Sequence, residues 1–209
     1  MSWTSVVGRV CGNVLYRVVR GLSLTRISPN LLTFLGLVIS ITAAVLFGLA
    51  TGDYQRKFFL YAGLVMIAAA FFDLVDGPVA RATNQVTQFG AFFDSVIDRY
   101  SDLAVFFGLL VYYARANRFF YVVMVGIVMT GSVMVSYTRA RAESLIGTCR
   151  VGFMERPERL VLVMIGALFN RMAPVLWIIA LLSNITVVHR IIYTYQRTKS
   201  SQQARVGTT

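Results

Sequence analysis

Acidic residues are scarce in this 209-residue chain, nine against twenty lysines and arginines, and charged residues of both signs make up only 14%. Cysteine occurs twice, at Cys11 and Cys149, and histidine once, at His189. The two cysteines form neither a metal-ligand nor a redox spacing and read as free thiols, and the lone histidine has no second ligand beside it. The first residues lack the apolar core and small-residue cleavage site of a secretory signal. No RNA- or DNA-binding motif accompanies the net charge of +11, which excludes nucleic acid as the partner.

What the chain has in excess is apolar surface. Hydrophobic residues make up 57% and the mean hydropathy is +0.68, too apolar for a soluble domain, while the length is too short for two domains. The composition predicts a small all-α integral membrane protein in the lipid bilayer. Residues 31–50 carry no charge and, at ~1.5 Å rise per residue, cross a ~30 Å hydrocarbon core. Ser28-Pro29-Asn30 supplies a helix start, with Thr25 or Ser28 as the cap. Further spans are expected over 58–80, 89–114, 119–138, 160–170 and 172–195. The span over 160–170 is long enough only if it recruits the turn at 157–159.

Six transmembrane helices are thus expected within a membrane domain over 27–197. Residues 1–26 read as an N-terminal amphipathic interfacial helix, with Arg9, Asn13, Tyr16 and Arg20 in one stripe beside Trp3, Val7, Val10, Val14 and Val18. Residues 198–209 read as a disordered polar tail. With both ends inside, the outer loops hold only Arg56, Lys57, Arg115, Arg118 and Arg171, and Arg99 lies in a span. The other fourteen basic residues then face the cytoplasm, the positive-inside arrangement of a multi-pass protein of the cell's inner membrane.

Five of the nine acids, Asp73, Asp76, Asp94, Asp98 and Asp102, fall inside the second and third spans. Carboxylates at such depth are costly unless they face a hydrated cavity, a partner or a cation. Asp73 and Asp76 are three apart and Asp94 and Asp98 four apart, so each pair shares a helix face. The short connection over 81–88 predicts antiparallel neighbours, with four carboxylates converging on one point. Arg81 and Arg99 are too few to neutralise them in a low dielectric. Hard divalent cations do so, and an oxygen-only ligand set suits magnesium, manganese or calcium. Two such metals can clamp a phosphoryl group, and Gly77 and Gly90 allow a bulky ligand close to the backbone.

The run from Asp73 to Asp98 contains Asp-x-x-Asp-Gly-x-x-Ala-Arg, eight residues, then Gly-x-x-x-Asp-x-x-x-Asp. It resembles the CDP-alcohol phosphotransferases (CDP-alcohol phosphatidyltransferases), with no position departing from their signature. The resemblance implies a six-helix membrane enzyme, usually a homodimer, that transfers a phosphatidyl-type group from a CDP-linked lipid to an alcohol and releases CMP. It implies Asp73, Asp76, Asp94 and Asp98 as ligands of a two-metal Mg2+ site, with Mn2+ as the substitute, and Asp98 also as the catalytic base. Asn30, Thr33, Asp73, Gly77, Arg81 and Gly90 are implied as CDP contacts. Asp102 lies outside the signature and reads as a structural partner to a basic residue or a helix neighbour.

A second resemblance concerns the acceptor. The stretch Ser136-Tyr137-Thr138-Arg139-Ala140-Arg141-Ala142-Glu143 and the later Glu155-Arg156-Pro157-Glu158-Arg159 are similar to stretches of the phosphatidylinositol phosphate synthases, which often have lysine where Arg139 stands. It implies an acceptor-phosphate site at Ser136, Arg139, Arg159 and Arg190. Several arginines beside a cytoplasmic cavity also suit a dianionic phosphate on chemical grounds. Arg141 and Arg150 read instead as positive-inside residues for lipid headgroups. The expected reaction joins CDP-diacylglycerol to a phosphorylated polyol, 1D-myo-inositol 3-phosphate, giving phosphatidylinositol phosphate. The alternatives are glycerol 3-phosphate as acceptor, giving phosphatidylglycerol phosphate, and, remotely, a cation-coupled transporter, against which no paired repeat with broken helices is visible.

Overall fold

The uncharged run after Pro29 forms the first helix, α1 (Pro29–Leu49), in the computed structural model, which describes residues 28–206. Ser28 is its N-cap in an extended conformation, and its carbonyl accepts the Leu31 amide at 3.0 Å. The Ser28 side chain makes no cap bond, while Thr25 and the expected interfacial helix over 1–26 lie outside the described residues. A 3-10 turn (Gly52–Tyr54) leads into α2 (Gln55–Ala82), followed by α3 (Gln88–Arg115), α4 (Phe119–Ile146), α5 (Arg156–Leu168) and α6 (Met172–Val206). Among the described residues there is no strand.

Local chemistry ends three of these helices in one way. Asn84, Asn117 and Asn170 adopt φ of 54°, 52° and 53°, the left-handed turn that asparagine tolerates. The following amides then reach back to close the last turns: Gln85 to Ala80 at 2.9 Å, Arg118 to Tyr113 at 2.9 Å and Arg171 to Gly166 at 2.8 Å.

Four helical segments are long and apolar enough to cross a membrane, Pro29–Leu49, Gly52–Ala82, Phe119–Ile146 and Met172–Ser200. The protein is therefore a membrane protein. Two of the six expected spans differ from these. Helix α3 has the length, at 28 residues, but carries Asp94, Asp98, Arg99 and Asp102. Helix α5 does take in the turn at 157–159, yet its 13 residues reach only ~20 Å, short of a ~30 Å core. A second correction concerns the C-terminus. The segment 198–206, expected as a disordered tail, continues α6, because Lys199, Gln202, Gln203 and Ala204 favour helix and no proline or glycine interrupts before Gly207.

Packing closes the six helices into a ring in the order α1, α2, α5, α6, α4, α3 and back to α1. The consecutive helices α2 and α3 do not pack extensively on one another as their short connection predicts; α1 packs on both. Small residues explain this. Gly36, Ser40, Ala43, Ala44 and Gly48 are buried on α1, and a Cβ on Gly108 of α3 would sit 2.2 Å from the Ala44 carbonyl oxygen. Such smooth faces let helices approach where lipid gives no hydrophobic drive.

Because the chain runs up and down, each end of the ring collects one end of every helix. One end is filled by Phe47, Phe59, Met66, Phe106, Leu109, Val125, Val163, Ala167, Leu176 and Ile179, all nearly fully buried. The other end receives the start of α1, the end of α2, the start of α3, the end of α4, the start of α5 and the later part of α6. Every residue expected at the metal, CDP or acceptor-phosphate sites lies there.

Candidate active site

Asp76 is held first by its neighbours. The Thr33 hydroxyl on α1 donates to its Oδ2 at 2.8 Å, the Gly77 amide donates to its Oδ1 at 2.6 Å, and the side chain is buried. Asp73 follows one turn earlier on α2, and Asp94 faces both from α3. One oxygen from each of these three carboxylates lies within 4.8 Å of the others. No histidine or cysteine belongs to the group, so the donor set is all hard oxygen and fits magnesium or manganese.

Asp98 lies against Asp73 but outside the set of three oxygens that meet within 4.8 Å. Its Oδ1 is 2.9 Å from Arg156 Nη1, an ion pair without hydrogen-bond alignment, and the same Nη1 donates to Asp73 Oδ2 at 2.6 Å. Arg156 Nε reaches Asp102 Oδ1 at 3.4 Å. The four carboxylates expected to converge thus gather as a trio with Asp98 beside Asp73. Arg156 from α5 pairs with both Asp73 and Asp98 and offsets part of the like charge. Arg99, considered as a counter-ion, instead bonds Ser95 on its own helix, through the Ser95 hydroxyl at 2.8 Å and the Ser95 carbonyl.

Two cavities flank the acidic group. The first, about 260 Å³, is lined by Asn30, Thr33, Asp76, Gly77, Arg81, Gly90 and Asp94 among others. It gathers every residue expected at CDP except Asp73, which lines a separate small void beside Arg156. Thr87 caps α3 by accepting the Gly90 amide at 2.9 Å, and the Gly90 Cα position has Asn30 Oδ1 and Thr87 Oγ1 so close that a Cβ would stand 3.4 and 3.0 Å from them. The second cavity, about 240 Å³, is lined by Asp98, Ser136, Arg139, Glu155, Arg156 and Arg190 among others.

Arg159, expected with Ser136, Arg139 and Arg190, does not line that cavity. It is 2% exposed, its Nη2 donates to Asp102 Oδ2 at 2.8 Å and its Nη1 reaches the Met154 carbonyl at 3.4 Å. Its charge is already spent on Asp102, whose reading as a structural partner to a basic residue therefore holds. Sequence reasoning missed Arg156 and Glu155, although the surplus of carboxylates over Arg81 and Arg99 was a sign that another cation had to enter.

Comparison with known proteins agrees with this geometry. Residues 26–195 match the family model of CDP-alcohol phosphatidyltransferase. The chain is 37% identical over 179 residues to an archaetidylinositol phosphate synthase of Pyrococcus horikoshii, covering 85% of this chain and 88% of that one. It matches a crystal structure of Mycobacterium tuberculosis phosphatidylinositol phosphate synthase with CDP-DAG bound at TM-score 0.77 and 31% identity, covering 88% and 94% of the two chains. The manganese and citrate complex of that synthase matches at TM-score 0.75 and 32% identity, over 87% and 88%. With the signature carboxylates gathered and most of the chain matched, this protein belongs to the CDP-alcohol phosphatidyltransferase family and is an enzyme of that family.

Proposed function

We propose that the protein transfers the phosphatidyl group of CDP-diacylglycerol to 1D-myo-inositol 3-phosphate, forming phosphatidylinositol phosphate and CMP. One observation carries the reading: two cavities meet the acidic residues, one at Asp76 and Asp94 among the signature residues and the other at Asp98 with Ser136, Arg139 and Arg190. A nucleotide in the first and an anionic acceptor in the second would present their reacting atoms to each other across the carboxylates. The names of the similar synthases, which all specify inositol phosphate lipids, support this acceptor over glycerol 3-phosphate.

Asp73, Asp76 and Asp94 would hold the divalent cation, and Asp98 joins them for a second ion. When bound, the cations neutralise the diphosphate and the charge growing on the leaving CMP. Asn30, Thr33, Gly77, Arg81 and Gly90 seat the CDP moiety. Asp98, on the acceptor side, takes the proton of the acceptor hydroxyl, whose oxygen attacks the lipid-proximal phosphorus as the bond to CMP breaks. Arg139, Arg190 and Ser136 orient the acceptor through its phosphate, and general orientation of this kind is a large part of catalysis by positioning.

In the membrane, α3 crosses within the ring and α5, too short to cross alone, enters it from the polar end, which lies at the cytoplasmic face of the inner membrane. The surplus of basic residues expected on that side supports the orientation. The broad outward apolar surface, including Leu64, Ile67, Phe107, Ile127, Leu181 and Ile185, meets lipid and the second copy of a homodimer. The reaction is tested by CMP release from CDP-diacylglycerol with Mg2+ and inositol 3-phosphate, glycerol 3-phosphate or free inositol. Preference for glycerol 3-phosphate would overturn the acceptor assignment.

A further inference from the structure

The second cavity already contains an anion of the protein's own. Glu155 Oε1 accepts from Arg139 Nη1 at 3.0 Å and from Arg190 Nη2 at 2.9 Å, so a single oxygen bridges the two guanidiniums that line the cavity. Arg190 has its remaining donors engaged elsewhere. Arg190, 1% exposed, donates from Nε to the Val151 carbonyl at 2.8 Å and from Nη1 to the Val135 carbonyl at 2.5 Å. Arg139 Nε donates to Glu143 at 3.1 Å. Glu155 thus takes one donor from each of the two arginines that line the cavity.

Nothing local requires the carboxylate to be there. Glu155 is the N-cap residue of α5, yet its side chain makes no capping bond, and Pro157 in the first turn removes one amide that a cap would serve. Its side chain is 37% exposed, which leaves it a hydrated route out of the pair. The strand of loop before it is anchored independently. The Met154 amide donates to Thr186 Oγ1 at 3.1 Å, and Gly152, at φ 105°, comes so close to α6 that a Cβ would lie 2.4 Å from Thr186 Cγ2. Side-chain departure of Glu155 therefore needs no movement of that backbone.

We propose that Glu155 is a place-holder for the acceptor's phosphate, neutralising Arg139 and Arg190 until a dianionic group displaces it. The proposal rests on the acceptor site argued above and adds a specificity device to it. A phosphate brings more charge and three oxygens where Glu155 offers one to both arginines, so it competes successfully. A neutral polyol gains nothing by meeting arginines that are already paired. Glu155 thus lowers the affinity for every anion while leaving uncharged alcohols excluded.

The sign of one substitution tests this. In purified full-length protein with CDP-diacylglycerol and Mg2+, Glu155→Gln should lower the KM for inositol 3-phosphate and the inhibition constant of inorganic phosphate, each by about three- to tenfold. Free inositol should remain a poor acceptor. If Glu155 only positions the arginines, both constants rise or stay level, and that result overturns the proposal. Should Glu155→Gln not fold, Glu155→Ser carries the same two measurements with the same expected direction. A wild type that releases no CMP with any phosphorylated acceptor would instead overturn the acceptor-site reading, and the place-holder with it.

Discussion

Arg159 and Asp102 form a buried ion pair, joined at 2.8 Å with side chains 2% and 7% exposed, and Asp102 also meets Arg156, the partner of Asp73 and Asp98. Both partners come from helices that do not pack extensively on one another, α3 and α5, so the pair spans the interior of the ring. It fixes the start of α5 and with it the adjacent residues Glu155 and Arg156.

Removing Arg159 leaves buried Asp102 with only its 3.4 Å contact to Arg156, and removing Asp102 leaves buried Arg159 without a carboxylate. Arg159→Ala should cost about 3–5 kcal/mol of stability, and Asp102→Asn a similar amount. Replacing both with apolar residues of similar volume should recover much of the loss. Thermal unfolding in detergent reads this directly. An Arg159→Ala protein of wild-type stability that only raises the acceptor KM would restore Arg159 to the acceptor pocket.

The carboxylate trio and Asp98 should separate in their effects. Asp73→Asn, Asp76→Asn and Asp94→Asn should each abolish CMP release and weaken Mn2+ binding, followed by electron paramagnetic resonance. Asp98→Asn should slow the chemical step by at least ~10²-fold, the usual worth of a general base, while retaining more of its Mn2+ and CDP-lipid binding. Equal loss of Mn2+ binding in Asp98→Asn and Asp76→Asn would make Asp98 a ligand of the same rank.

At the acceptor cavity, Arg139→Ala should raise the KM for the phosphorylated acceptor about tenfold or more, the value of one charge-assisted hydrogen bond. The affinity for CDP-diacylglycerol should barely change, since Arg139 does not line the cavity that holds Gly77 and Arg81. A parallel loss of CDP-lipid affinity argues against two separate compartments.

Two glycines make a contrast in packing. Gly108→Ala drives a Cβ into the backbone of Ala44 and should cost about 1–3 kcal/mol or more by forcing α1 and α3 apart. Gly126 on α4 has nothing within 4 Å of the added atom, so Gly126→Ala should be neutral or slightly stabilising through helix propensity. Comparable melting temperatures for the two variants would contradict the tight α1–α3 contact.

Much of the site was legible because it is written in local spacing. Asp73, Asp76 and Asp94 follow helical offsets in a run with a family signature, and Gly77, Arg81 and Gly90 line one cavity because that run folds into the end of α2 and the start of α3. Long-range matches were not legible. The intrusion of α1 between α2 and α3 depends on Gly108 facing Ala44, a pairing 64 positions apart in the chain numbering that no window reveals. Arg156 and Arg159, three apart, lie near one helix face, but which faces the cavity and which turns to Asp102 is set by how α5 docks. The end of α6 is not legible in the same way, because its polar residues suit a disordered tail as well as a helix, and backbone propensity continues the helix.

The ring's two unlike ends make the protein a cup, with Phe47, Phe59, Leu109 and Leu176 as its floor. A cup has one mouth. In the proposed reaction a water-soluble acceptor and CMP would arrive and leave through that mouth, on one side of the bilayer. The lipid product would then be released into the leaflet that supplied the donor.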